Sequence, residues 1–256
     1  RQMCIRDSHI IDPAFPLQEN NGFLPDPLTV ADYQERVRDL GVRGGAVVSG
    51  SFQGFDQTYL ADALQRLGRG FVGVTQLPAD TPDEDIRELA DAGVRAVRFN
   101  LKRGGSAGLE DLDHFARRVF EVAGWHTELY IDTRTVAADA ALQRTIAKLP
   151  AVSIDHLGMH ADGLPALCEL VAAGVRVKAT GFGRVDLDPA RAIKEILRVN
   201  PAALMVGTDV PSTRAARPFR DADLDLIRQT VGEAAGDSAV EDVFWNNAAR
   251  WYRVAD

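Results

Sequence analysis

LMVGTDVPSTRAARPF, Leu204–Phe219, is the stretch whose reading decides the fold. Its apolar start reads as a strand, Gly207-Thr208-Asp209 ends it, and a loop carrying Arg214 and Arg217 follows. Seven strand-like runs precede it, so it is the eighth, with Asp209 at its C-terminal tip. Short β-branched runs alternating with capped helices point to parallel strands joined by right-handed crossovers. A count of eight selects a closed (β/α)8 barrel over an open sheet, and in such barrels the C-terminal strand tips carry the chemistry.

Working back along the chain, HIID (His9–Asp12) reads as a first strand truncated at the N-terminus. Thr29 caps a helix with Asp32 in its first turn, and Leu40-Gly41 stops it. GAVVS, FVGVTQL, VRAVRFN, ELYID (Glu128–Asp132), AVSIDH and VRVKATG supply strands two to seven. The spacing predicts helices over 56–67, 83–92, 112–123, 136–149, 164–173 and from Asp188-Pro189 to Asn200-Pro201, then 222–235 and a terminal helix over 240–251. Thr81-Pro82-Asp83-Glu84 has the pattern of a capping box with proline at the first helical position. Neither GxGxxG at the first turn nor GxxxxGK[ST] is present, so the nucleotide-binding open sheets lose their main support.

The chain has 256 residues, 46% of them hydrophobic, enough for one large core, so residues 9–256 read as a single barrel domain. A net charge of -8 with dispersed basic residues argues against nucleic acid as a partner. No apolar run is long enough to cross a bilayer. Cys4 and Cys168 are too few for a disulfide framework or a thiolate metal site, which suits a reducing cytoplasm. RQMCIRDS, residues 1–8, lacks the apolar centre of a secretory signal and back-translates to a string resembling a transposon adaptor. It is expected to be a non-native or disordered leader, the native chain resuming at His9. Homodimerisation is left open.

A closed barrel gathers at its mouth His9, Ser49, Ser51, Arg98, Tyr130, Asp132, His156, Lys178 or Arg184, and Asp209. On position alone Asp209 reads equally as a turn cap; its company favours a general base in a hydrolase. A carboxylate can take a proton from water, and an imidazole such as His156 can hydrogen-bond the electrophilic carbonyl oxygen. Arg98, Lys102, Arg103, Arg134, Arg184, Arg214 and Arg217 follow strands four, five, seven and eight on the same face. In an acidic protein that makes a local positive cup, and guanidinium forks match carboxylates, so a small anionic substrate is expected. Solvated loop charge is the rival reading for most of them. His114 and His126 fall within or at the end of a helix and read as structural. His160 follows His156 by four residues in a loop, so helical metal-ligand geometry is not implied.

The segments HIIDPAFP, VRAVRFN, SIDHLG, KATGFGR, VGTDVP and NNAARWY together resemble the amidohydrolase-related hydrolases, in particular the branch of 2-pyrone-4,6-dicarboxylate lactonase and related sugar lactonases. The resemblance runs over nearly the whole chain from His9. It implies an amidohydrolase barrel in which Asp209 activates water, Arg98, Arg103 and Arg184 bind substrate carboxylates, and Tyr130 and His156 complete the site. It also implies that His9 is the second histidine of a strand-one His-x-His pair whose first member is missing. Ser49, at the second strand tip, is taken as a further substrate contact. A binuclear metal centre of the wider superfamily needs a bridging lysine or glutamate at strand four and a histidine at strand five. This chain has Arg98 with Asn100, and Tyr130 with Asp132. The expectation is therefore lactone hydrolysis without metal or other cofactor: His9 and His156 polarise the ring ester while Arg98 and Arg184 hold a carboxylate. Two alternatives stay open: a mononuclear-zinc amidohydrolase or decarboxylase using His9, His156 and Asp209, and a non-catalytic barrel that binds a carboxylated metabolite.

Overall fold

Strands covered on both faces need apolar residues in succession, and GAVV, FVGVT and LMV supply them. In the computed structural model, which describes residues 7–42 and 44–254, these runs are β2 (Gly45–Val48), β3 (Phe71–Thr75) and β8 (Leu204–Val206). With β1 (Asp7–Ser8), β4 (Val94–Phe99), β5 (His126–Leu129), β6 (Val152–Ile154) and β7 (Arg176–Ala179) they form one eight-stranded sheet in sequence order. Each strand is parallel to the next. Just past β8 the ring closes: Ser8 bridges Val210 in parallel, and the His9 amide donates to the Val210 carbonyl at 2.8 Å. The fold is a (β/α)8 barrel. No described helix is long and apolar enough to cross a membrane.

Local chemistry moves several boundaries from where the pattern put them. β1 is Asp7–Ser8 and not His9–Asp12, because Ile11 leaves the barrel to pair with Leu28 in the loop returning to the first helix. Of the expected leader, residues 1–6 lie outside the described residues. The helix Leu112–Ala123 ends at Gly124, φ +65°, so His126 is the first residue of β5 and not a helix-end residue. The helix expected over 136–149 is two, Thr133–Ala138 and Ala140–Ala147, because Asp139 turns extended and its carboxylate caps Ala141 and Leu142. The Thr29 cap forms reciprocally with Asp32, whereas the Thr81 hydroxyl donates to the Pro78 carbonyl instead of capping the next helix.

The barrel has two kinds of interior. Ala46, Val48, Val72, Val74, Ala96 and Met205 form an apolar floor, closed by Ala248 and Tyr252 of the terminal helix Asn247–Tyr252. Across from it, β4 to β7 turn charge inward while Val97, Phe99, Leu129, Ile154 and Val177 face the helices. Arg98 donates to Asp155 at 2.8 Å, Lys178 lies 2.7 Å from Asp155 and 2.5 Å from Glu128, and Glu128 accepts from Tyr252 and lies 3.2 Å from His126. Two buried cations and two buried carboxylates thus balance, the condition under which burying charge is tolerable.

Candidate active site

Strand tips rimming a barrel converge on its axis, so side chains distant in sequence share one cleft. Here the cleft is lined by His9, Arg98, Arg103, Tyr130, His156, Arg184 and Asp209, with Arg214, Phe23 and Asn100 at its sides. The backbone turns sharply at two of the tips: Asp209 (φ +57°) and His156 (φ +52°) both sit in the left-handed region. Aspartate and histidine are among the few non-glycine residues that enter it, and such strain gathers where side-chain aim matters.

Asp209 is buried, and Arg184 clamps one of its oxygens: Nε and Nη2 both donate to Oδ2, at 2.8 and 2.5 Å. Oδ1 has no hydrogen-bond partner among the described residues. Burial pushes the Asp209 carboxyl above its ordinary value, with the Arg184 charge opposing. Arg184 also reaches the Tyr130 hydroxyl at 3.4 Å, and the Tyr130 ring meets His156 edge-on at 4.9 Å.

The two imidazoles differ. His9 Nδ1 lies 2.7 Å from the Val48 carbonyl, which can only accept, so Nδ1 carries the proton and Nε2 is a bare acceptor. Burial, then the Arg98 charge, lowers its pKa to about 3. His156 Nδ1 pairs with the Thr180 hydroxyl at 2.6 Å, and burial followed by Arg184 holds this ring well below its usual value. Thr180, which sequence reasoning missed, stands two residues after Lys178 on the inward phase of β7.

Buried neutral imidazoles make stability depend on pH. His9 has a folded pKa of about 3 and an ordinary value of 6.5, so between these the unfolded chain binds the extra proton and stability falls as pH falls. His126 and His156 are shifted the same way. Thermal melts should therefore show the melting temperature dropping from pH 7 to pH 5. In His9→Asn the drop should be shallower; an equal slope in both proteins would contradict the assignment.

The arginines sort by partner. Arg98, 3% exposed, donates from Nε and Nη2 to Asp155 at 3.2 and 2.8 Å and from Nη1 to the Ser49 carbonyl at 3.0 Å, with its guanidinium 5.1 Å over the Tyr130 ring. Lys102 and Arg134 pair with Asp132, and Arg217 with Asp223. Arg103 and Arg214 line the cleft with no carboxylate partner among the described residues; Arg214 instead donates to Asn20 and lies 4.4 Å over the Phe23 ring. Ser49 does not reach the cleft: its hydroxyl is buried against Gln57 and Tyr59 at 2.6 and 2.7 Å, and Gly50 and Ser51 line the rim in its place. His160 lies away from the cleft, between Asp186 at 3.1 Å and Asp162 at 3.6 Å.

Known proteins resemble this chain in sequence and fold. The family model described as "Amidohydrolase" matches residues 5–254. A 4-sulfomuconolactone hydrolase of Rhizobium radiobacter is 28% identical over 271 residues, covering 96% of this chain and 88% of that protein. A 2-pyrone-4,6-dicarboxylate hydrolase of Comamonas testosteroni is 27% identical over 155 residues, 59% of this chain and 50% of that one. The fold matches a solved probable 2-pyrone-4,6-dicarboxylic acid hydrolase of Acinetobacter baumannii with citric acid bound, at a TM-score of 0.80 and 19% identity over 98% of this chain and 99% of that one.

Proposed function

We propose that this chain, which belongs to the amidohydrolase family, is a hydrolase that opens a small lactone bearing acidic groups, using water activated by Asp209. One observation carries the reading: a clamped carboxylate, two imidazoles of low basicity and two arginines without carboxylate partners line one small cleft. The arginine clamp aims Oδ1 of Asp209 at the water, and the raised pKa improves it as a proton acceptor. His9 offers only a lone pair at Nε2, so it accepts from the attacking water; its expected role in polarising the carbonyl does not suit this tautomer. With the Thr180 hydroxyl donating to Nδ1, His156 carries its proton on Nε2 and donates to the ester carbonyl oxygen. Arg98 adds fixed positive charge beside the developing oxyanion. The water oxygen bonds to the carbonyl carbon, the ring C–O bond breaks, and the leaving oxygen takes the proton from Asp209. The product is an open-chain acid, with one proton released at neutral pH.

Arg98 and Arg184, expected to hold the substrate carboxylate, have their forks turned to Asp155 and Asp209. Arg103 and Arg214 take that role here. Hydrogen bonds to charged groups contribute about 1.5–3 kcal/mol each, so Arg103→Gln and Arg214→Gln should each raise KM by about tenfold or more for a carboxylated lactone. Their kcat should stay within about threefold of wild type. Following acid release across lactones with none, one and two acidic substituents tests both points. Unchanged KM in both variants, or no preference for acidic lactones, would remove the anion-binding assignment.

A zinc ion would draw on His9, His156 and Asp209, and this donor set does not fit it. Oδ2 of Asp209 already receives two guanidinium donors, and Arg98 and Arg184 put buried cations beside it with no second carboxylate lining the cleft. Nor, among the described residues, do three or more His, Cys, Asp or Glu side chains group to hold a metal. The proposed reaction accordingly runs on the chain's own cations.

A further inference from the structure

We infer that Asp155 is a positioning residue that holds the Arg98 guanidinium at the cleft floor, so that binding of an anionic substrate depends on a carboxylate that never touches it. The inference rests on the reading of this cleft as the anion-binding site. Asp155 follows β6, is fully buried, and does not line the cleft, although His156 beside it does. Its Oδ2 receives both Nε and Nη2 of Arg98 at 3.2 and 2.8 Å, and its Oδ1 lies 2.7 Å from Lys178 Nζ.

An arginine side chain has many rotamers to lose, and a site works when that freedom is removed before the ligand arrives. Arg98 has anchors from three directions: Asp155 from behind, the Ser49 carbonyl from β2's end, and the Tyr130 ring across its face at 5.1 Å. The simpler account makes Asp155 a neutraliser of buried positive charge. Two features speak against that as its whole role. A buried ion pair is on average no more stabilising than apolar residues of the same shape, so neutralisation alone would not call for this pair. The oxygen of Asp155 that receives two donors takes them from the cation of this interior network that faces the cleft.

Isothermal titration calorimetry of the full chain with isophthalate, a planar dicarboxylate that cannot be hydrolysed, tests this without turnover. Asp155→Asn weakens both charge-assisted bonds that place Arg98, so it should weaken binding by at least about tenfold. Arg98→Gln should weaken it similarly, and the double variant should be no worse than Arg98→Gln alone, because both changes remove the same placed charge. In Asp155→Asn/Lys178→Met one buried cation and one buried anion are removed together, which protects folding; its binding should be as weak as that of Asp155→Asn. With a carboxylated lactone, Asp155→Asn should lower kcat/KM by at least about tenfold, kcat falling as well as KM rising, because the displaced Arg98 also stands beside the developing oxyanion. Wild-type affinity in Asp155→Asn, losses that add in the double variant, or a wild type that does not bind isophthalate would overturn the inference. Binding by wild type without hydrolysis of any lactone would instead refute the lactonase reading and leave the role of Asp155 standing.

Discussion

Asp209→Asn is expected to lower kcat by about 10³- to 10⁴-fold while KM changes by less than about threefold, since general-base catalysis contributes up to about 10⁴-fold. The substitution preserves shape but removes the charge that faces Arg184. Asparagine tolerates the left-handed backbone at φ +57°, keeps an oxygen for the Arg184 fork, and has nearly the same volume. What it lacks is a group that can take a proton from water. The loss of activity should fall on kcat, and the melting temperature should drop by several degrees because one partner of a buried ion pair is removed. Stopped-flow or pH-stat measurement of acid release decides it: residual activity above about a tenth of wild type would mean that another group serves as base.

Gly181→Ala should do comparable damage from outside the set of reacting groups. Gly181 sits at φ +61°, and a Cβ built on it would lie 2.5 Å from His156 Nδ1 and 3.1 Å from Arg184 Cδ. The first contact displaces the atom that pairs with Thr180, and the second pushes the arginine that clamps Asp209. Left-handed backbone alone costs an alanine about 1–2 kcal/mol. The variant should melt lower by several degrees and lose about 10²-fold or more in kcat, the effect on catalysis exceeding the effect on stability. Near-wild-type turnover in a folded Gly181→Ala protein would show that the placement of His156 and Arg184 is not critical.

The barrel was legible because its signal is redundant: eight strand-like runs, each followed by a capped helix, and a ligand face fixed by topology. Strand ends likewise pointed to Asp209, His156, Arg98 and Arg184 as neighbours, since closing the ring brings tips together whatever their distance along the chain. Pairing within the cleft was not legible. Arg98 and Asp155 are 57 residues apart, and no local pattern says that the guanidinium fork turns inward to that carboxylate. Ser49 failed for the same reason: strand phase puts it at the rim, but Gln57 and Tyr59 draw its hydroxyl into the wall. A usable cue to the interior charge was present, however. Glu128 in HTEL and Lys178 in RVKA are charged residues at alternate positions of strands buried on both faces, and such residues must meet opposite charge inside the barrel. His126 belongs to β5 because Gly124 stops the helix and the strand begins two residues later, a boundary that helical spacing alone does not mark.

The placement of the cations also bears on association. A protein of net charge -8 repels acidic metabolites at a distance, yet Arg103 and Arg214 stand at the cleft without carboxylate partners among the described residues. Beyond a Debye length of about 10 Å at 0.1 M salt the overall charge is screened, so capture depends on the local field of these guanidiniums. Raising ionic strength should therefore weaken kcat/KM for acidic lactones and leave neutral ones nearly unchanged.

The most direct measurement is kcat/KM of chelator-treated wild type for a carboxylated lactone and for its uncharged parent ring, followed by acid release in metal-free buffer. Hydrolysis by Asp209 under arginine and imidazole control predicts undiminished turnover after chelation and a preference of about 100-fold or more for the carboxylated ring. Activity that disappears on chelation and returns with a divalent ion, or equal rates on the two rings, would contradict it.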